Sequence, residues 1–462
     1  MGKLRFLLAL WMAKLSIPAL KITRHNGTDF PGSLAVKLCP DFLKYIGKPP
    51  KIVAVTGTNG KTTVANLLLD ILEQEGARVI SNRSGSNILS GVCTALLRGT
   101  DLLGRCRGYD LAVLEVDERY SPRIYNAVKP DFIVVTNLFR DSLTRNAHPG
   151  YIADILTESF PKTAKLILNA DDIISAGVAP ENPRVYFGID HLPGDTDHCV
   201  NLVNDAILCP RCGAPLHYGL VRYHHIGRAA CPRCGYATPQ ADYLATQVDP
   251  ESRTMVLEEK GQGYPYHLVA DSPHNIYNMV TVIAALRELG YDHGTIARHM
   301  ETAQILATRL SEEVIGDCTV VIQMAKEKNA LANSRNFDAI RKAPGRKEIL
   351  LMMNCLNLLK DWSENPSWMY DADFEFLNQE DVAMIVCAGS RCLDYKLRLL
   401  LAGIPEERIR VEKDEFRALE LLPRTPGDRI YILHGVDSVA RSFQVKARLA
   451  QMLEKEAQDR EN

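Results

Sequence analysis

The chain has 462 residues, a formal net charge of −2, 46% hydrophobic residues and 24% charged ones. This is a globular composition, long enough for about three domains and without a bulk electrostatic case for binding nucleic acid. No apolar run reaches the roughly 18–20 residues that span a bilayer, and the 12 Cys in so long a chain do not suggest a disulfide scaffold.

Residues 1–50 form a leader that begins MGKLRFLLALWMAKLSIPALKIT. Lys14 and Lys21 interrupt its apolar run, no A-x-A site follows, and the nucleotide loop downstream needs cytosolic ATP. A secretory signal is therefore disfavoured. The expected structure is an amphipathic helix packed on the body, with contact to a membrane surface as the alternative. The expected location is the cytoplasm, with the inner face of the membrane as a variant of it.

From Lys51 the text alternates apolar runs with helical patterns. KIVAVT, YDLAVLEVDE, PDFIVVTNLFRDSL and AKLILNADD are buried-strand runs that end in acids or Asn. Such runs, separated by helices, predict a doubly wound α/β sheet whose ligands bind beyond the carboxyl ends of the strands. This unit is expected over 51–308. At 201–241 the composition changes to Cys, His, Tyr, Pro and Gly, the mark of a small inserted module. ESRTMVLEEKGQGYPYHLVA predicts paired strands, and HNIYNMVTVIAALRELG a helix closed by glycine. Over 309–462 strand and helix alternate again, predicting a second, smaller Rossmann-like domain.

Two motifs carry chemistry. TGTNGKTT, Thr56 to Thr63, lies between a strand and a helix. Gly57, Asn59 and Gly60 let the backbone turn its N–H groups toward phosphate oxygens at a helix N-terminus, with Thr58 and Thr63 in the same loop. Lys61 can reach the β- and γ-phosphates of ATP, and Thr62 can ligate Mg2+. The usual G-x-x-x-x-G-K-[ST] spacing is not met, because Val55 stands at the first glycine position and Gly57 comes two residues late. The second motif is CPRCG, which occurs twice. Cys209, Cys212, Cys231 and Cys234 have C-x2-C-x18-C-x2-C spacing, which can close a tetrahedral Zn2+ site with no open position, hence a structural one. His217, His224 and His225 lie between the knuckles but are not expected to be ligands.

The loop TGTNGKTT resembles that of the Mur ligase and folylpolyglutamate synthase family, whose first glycine also sits late. LEVDE, TNLFRDSL, LNADD and HNIYN follow in the family's order. The resemblance implies a Mg2+-binding role for Glu115, places Asn137 and Asp141 in the T-N-x-x-x-D segment, and puts Asn275 and Asn278 near the nucleotide base. Within that family the chain is similar to the MurT family, through its four-Cys module, the leader GTDFPGSLAVKLCPDFLKYI, Arg140–Asp141 in TNLFRDSL, and SWMYDADFEFL. What this implies is a Mur ligase-type P-loop domain with an inserted zinc ribbon and a MurT-type C-terminal domain. The partner implied is a GatD-like class I glutamine amidotransferase. The substrate implied is lipid II or a related muropeptide, reached with peripheral membrane contact. The reaction implied is ATP-dependent amidation of D-glutamate. The resemblance also implies that an Asp of the C-terminal domain completes the partner's Cys–His pair: Asp371, with Asp373 in reserve. The sequence departs from the family at ILATRLSEEVIG, where Arg309 stands for the usual Arg, at QMAKEKNALANS, and at Asn365 of NPSW. A stand-alone ligase joining an amino acid to a carboxylate is the alternative.

Overall fold

The computed structural model describes residues 2–22, 27–140, 148–303, 310–325, 329–353 and 366–461. Asp141, Arg309 and Asn365 lie outside them. The chain divides into two compact units: one takes in 1–139, 148–199 and 204–305, the other 140–147, 200–203 and 306–462.

The first unit is built on a nine-stranded sheet. Its strands are β1 (Lys51–Thr56), β2 (Val79–Ser81), β3 (Leu111–Glu115), β4 (Phe132–Val135), β5 (Lys165–Asn169) and β6 (Arg184–Ile189), then, past a separate hairpin of β7 (His217–Tyr223) and β8 (Ile226–Ala230), β9 (Tyr243–Asp249), β10 (Thr254–Glu259) and β11 (Gln262–His267). The order is β11-β10-β9-β6-β5-β4-β1-β3-β2. All neighbours from β2 to β9 run parallel, and β10 and β11 pair antiparallel with β9 and each other. Parallel strands are covered on both faces, and β1 accordingly reads KIVAVT with all but Lys51 buried. The helix Pro273–Leu289 ends where the sequence places its stop, at Gly290 with φ +100°.

The leader helix, Gly2–Ile22, joins the core of this unit through Phe6, Ala9, Leu10 and Ala13, beside Phe42, Leu96 and Ile52. It is not simply amphipathic, because Leu4, Leu8, Trp11 and Leu15 are exposed on its other side.

The second unit holds a six-stranded sheet of β12 (Leu310–Ile315), β13 (Cys318–Met324), β14 (Lys347–Met352), β15 (Val382–Ala388), β16 (Ile409–Glu412) and β17 (Arg429–His434), in the order β12-β13-β17-β14-β15-β16. Only β12 runs antiparallel. Cys387 is buried in β15, a core residue as its apolar surroundings in the sequence suggest.

Candidate active site

The late glycine has a steric cause. At Gly57 the chain adopts φ +122°, and a Cβ there would fall 2.3 Å from Thr136 Oγ1 and 2.9 Å from the Asn137 carbonyl oxygen. The exit of β4 thus passes directly over the turn. It also ties the loop down. Thr136 Oγ1 donates to the Asn59 carbonyl (2.7 Å), Asn137 Oδ1 accepts from Asn59 N (3.0 Å) while its Nδ2 donates to Asn59 O (3.0 Å), and Thr58 N donates to Asn137 O (2.8 Å). Thr58 Oγ1 in turn accepts from Phe139 N at 2.9 Å. Asn137 is therefore a brace of the loop backbone. Gly60 (φ +89°) caps the helix Lys61–Gln74 without a side chain, and its missing Cβ makes room for Asn278 Oδ1, 2.3 Å from where that atom would be. Asn275 Oδ1 accepts from Asn278 Nδ2 at 3.2 Å. So Asn278 of HNIYN meets the phosphate loop, and Asn275 stands behind it. Gly57→Ala is expected to lower ATP affinity at least tenfold, because it combines a strained φ with a clash against backbone; isothermal titration with a non-hydrolysable ATP analogue measures this.

Charges of both signs converge on the loop. Thr62 Oγ1 donates to Glu115 Oε2 (2.9 Å) and Asn87 Nδ2 to Glu115 Oε1 (2.9 Å). Asn82 pins the Glu115 backbone from both sides, accepting from its N–H at 2.9 Å and donating to its C=O at 2.8 Å. Lys61 Nζ donates to the Gly57 carbonyl and to Glu118 Oε1, 2.8 Å away, and that same oxygen accepts from Gly57 N at 2.9 Å. Burial works against the Lys61 charge, but Glu118, with Glu115 and Asp117, outweighs it and holds the ammonium above its ordinary value. Burial pushes the Glu118 carboxyl up, and Lys61 offsets this only in part. Glu118 is the main residue that the sequence reading missed. Its only signal is its place three residues beyond Glu115 at the end of a buried strand.

The donor set fits a nucleotide triphosphate and its metal. An uncapped helix N-terminus, a glycine turn and an ammonium face anionic oxygens. The hydroxyl of Thr62 and the carboxylate of Glu115 are hard oxygen donors of the kind Mg2+ takes.

The four sulfurs of Cys209, Cys212, Cys231 and Cys234 lie within 4.8 Å of one another, the one group of three or more potential metal ligands among the described residues. The pairs Cys209–Cys234 and Cys212–Cys231 are 3.6 and 3.5 Å apart, close to the ~3.8 Å edge of a tetrahedron with Zn–S of about 2.3 Å. The two knuckles turn alike, with Gly213 and Gly235 both at φ +69°. Of the histidines between them, His225 does other work. His225, at the tip of the β7–β8 hairpin, is fully buried, with Nε2 3.2 Å from Asp172 Oδ1 and its ring 4.6 Å from Phe139. Asp172 Oδ2 also accepts from Leu138 N at 2.7 Å. The zinc module thus abuts the segment 136–139 that braces the phosphate loop.

In the second unit, Asp371 ends the single turn Trp368–Asp371 and stays a quarter exposed, 3.5 Å from Arg140 Nη1. Asp373 is buried, accepting from Leu202 N (2.6 Å) and Asn201 Nδ2 (2.8 Å). Buried Arg398 grips the backbone on either side of Asp371, donating to Met369 O and Ala372 O, each at 2.8 Å.

A family model for the Mur ligase middle domain matches residues 55–191, and one for the MurT ligase C-terminal domain matches residues 327–436. The chain is 30% identical over 413 residues to the lipid II isoglutaminyl synthase (glutamine-hydrolyzing) subunit MurT of Staphylococcus aureus strain COL, covering 89% of this chain and 91% of that one. It is 29% identical to the subunit of the same name from Streptococcus pneumoniae R6, covering 88% and 90%. Among solved structures, a pseudomurein peptide ligase type C from Methanothermus fervidus superposes with a TM-score of 0.65 at 21% identity, over 89% of this chain and 81% of that one. MurF from Acinetobacter baumannii superposes with a TM-score of 0.61 at 16% identity, over 90% and 80%; these two likenesses establish the Mur ligase fold. This chain is an ATP-dependent ligase of that fold, and it belongs to the MurT family.

Proposed function

We propose that the chain uses ATP to activate the α-carboxylate of D-glutamate in the lipid II stem peptide, and that ammonia from a GatD-like glutaminase subunit converts it to D-isoglutamine. The observation that carries this reading is the likeness to MurT subunits along nearly the whole chain, which includes the C-terminal segment. A carboxylate is a poor electrophile. One of its oxygens attacks the γ-phosphorus, the bond to the bridging oxygen breaks, and ADP leaves. Ammonia then adds to the acyl carbon of the resulting acyl phosphate, the C–O bond to phosphate breaks, and a proton passes to solvent. Catalysis here is mostly positioning and charge neutralisation.

Each group has a part. The backbone of Gly57 to Gly60 and the hydroxyls of Thr58 and Thr63 cradle the phosphates, with Asn137, Asn275 and Asn278 holding the cradle in shape. Lys61 leaves Glu118 for the β- and γ-oxygens. Thr62 and Glu115 would hold Mg2+, whose charge would offset that developing on the leaving group. The four-Cys Zn2+ site is structural.

Burial pushes the Cys387 thiol above its ordinary value, as suits a core residue and not a nucleophile, and in this reading the nitrogen comes from the partner subunit. The helix Cys392–Leu401 supports a docked partner. It buries Cys392, Tyr395, Arg398 and Leu399, yet exposes Leu393, Leu397 and Leu401 on its outer side. Asp371, presented by the Arg398 clamp, is the carboxylate available to orient the partner's His.

In the purified two-chain complex, Asp371→Asn is expected to cut glutamine-driven amidation on the order of a thousandfold while sparing ammonia-driven amidation. Asp373→Asn is expected to lower both slightly and the melting temperature clearly, since the amide keeps one acceptor oxygen where Leu202 N and Asn201 Nδ2 need two. Equal loss with both nitrogen sources for Asp371→Asn would remove that residue from the partner's site. Phosphate release that depends on lipid II tests the activation half; release with another carboxylate but not with lipid II would favour the stand-alone ligase.

A further inference from the structure

The leader helix is apolar on two opposite sides, and the fold uses only one. Phe6, Ala9, Leu10 and Ala13 enter the core of the first unit. Leu4, Leu8, Trp11 and Leu15 recur at intervals of four, three and four, so they share one helix face. Leu4, Leu8 and Leu15 are 66, 51 and 70% exposed. A neighbouring loop extends the patch: Trp11 Nε1 donates to the Leu102 carbonyl at 2.8 Å, and Leu102 (67%) and Leu103 are exposed in turn.

The charges on the leader helix are of one sign. Between Gly2 and Ile22 there are four Lys or Arg and no Asp or Glu, in a chain whose net charge is −2. Lys3 and Arg5 are exposed on the helix, and Arg105 and Arg107 on the loop. Lys14 turns inward to the carbonyls of Leu97 and Thr100. Asp101, the acid beside the leucine loop, accepts from the N–H groups of Leu103 and Arg105 and lies 3.9 Å from the Arg105 guanidinium, which it offsets, leaving Lys3 and Arg5 as the main cations of the patch.

We propose that this face docks on an anionic lipid surface. Large apolar side chains flanked by cations, with a Trp among them, match the boundary between headgroups and acyl chains. A second copy of the chain fits worse, since pairing this helix face with itself would bring two acid-free, basic helices together. The helix lies on the surface and does not cross it: its inner face is committed to the core, and no described helix is long and apolar enough to span a membrane. This assignment does not depend on which acceptor the ligase uses.

The test is sedimentation of the full chain with vesicles of phosphatidylcholine alone or mixed with phosphatidylglycerol. Binding is expected to be at least tenfold tighter to the mixed vesicles, to weaken in high salt, and to fall at least tenfold in Leu8→Ser/Leu15→Ser. That variant should melt with the parent, because both side chains lie outside the core. Absence of binding, equal binding to both vesicle types, or binding unchanged in the variant would overturn the proposal. So would a concentration-dependent dimer that the two substitutions abolish, for a second copy would then be the occupant.

Discussion

Lys61→Ala is expected to lower ATP-dependent turnover by about two to three orders of magnitude, the loss typical of removing one well-placed charge donor from a transition state. The substitution also has a stability signature specific to this site. Lys61 Nζ and Gly57 N both serve Glu118 Oε1. Without the ammonium, a nearly buried carboxylate keeps one N–H and loses its counter-charge, a change that costs up to about 3–5 kcal/mol when a buried pair is broken. The Glu118 carboxyl is already raised by burial, with Lys61 as its principal opposing influence. Removing Lys61 raises it further. A carboxyl raised in the folded state binds its proton more tightly there than in the unfolded chain. Its contribution is therefore kept at low pH and lost as pH rises through the folded value. The melting-temperature deficit of Lys61→Ala should accordingly grow as pH rises from the acid side. Adding Glu118→Gln should recover stability and leave turnover low. Recovery of turnover in the double variant would show that Lys61 serves only to neutralise Glu118.

The zinc module gives the second large effect. Purified chain should hold one Zn2+, and Cys231→Ser should hold almost none, measured by elemental analysis. Binding energy at structural zinc sites is folding energy, on the order of 10 kcal/mol in isolated modules. The β7–β8 hairpin should therefore loosen in the variant, and hydrogen exchange should report it. The ligands must be thiolates, so protons compete with the metal and zinc is lost more readily as pH falls. The hairpin tip places His225 against Phe139 and Asp172, and Phe139 N donates to Thr58. Exchange protection should consequently fall at residues 136–139 as well as between the knuckles. Full zinc occupancy in Cys231→Ser, or unchanged protection there, would contradict the four-thiolate site.

Much of this was legible in the sequence because it is local. Strand runs of four to six residues, a glycine turn followed by Lys-Thr-Thr, and two identical CPRCG knuckles each encode their structure within a few positions. What was not legible depends on distant segments meeting. Asn82 and Asn87 lie in a polar stretch with no periodicity, and they matter only because β2 runs beside β3 and brings them to Glu115. Glu118 looks like a solvated acid at a strand end until the turn of Gly57 closes over it. Asp371 and Asp373 are two residues apart and indistinguishable by type. The segment containing Asn201 and Leu202, far away in sequence, is what buries the second and leaves the first accessible. The leader helix packs on the body as expected, but its second apolar face was not legible. Hydrophobic spacing locates one apolar face well, but a helix with two such faces does not say which one meets the core.

The most direct test of the central claim is mass spectrometry of lipid II after incubation with ATP, Mg2+ and glutamine, using this chain alone, the glutaminase subunit alone, and both together. The account predicts exchange of one hydroxyl for an amino group at D-glutamate only with both chains, and none when Lys61→Ala replaces the parent. Amidation by the glutaminase subunit without this chain, or an unmodified stem peptide in the complete mixture while ATP is consumed on another carboxylate, would contradict it.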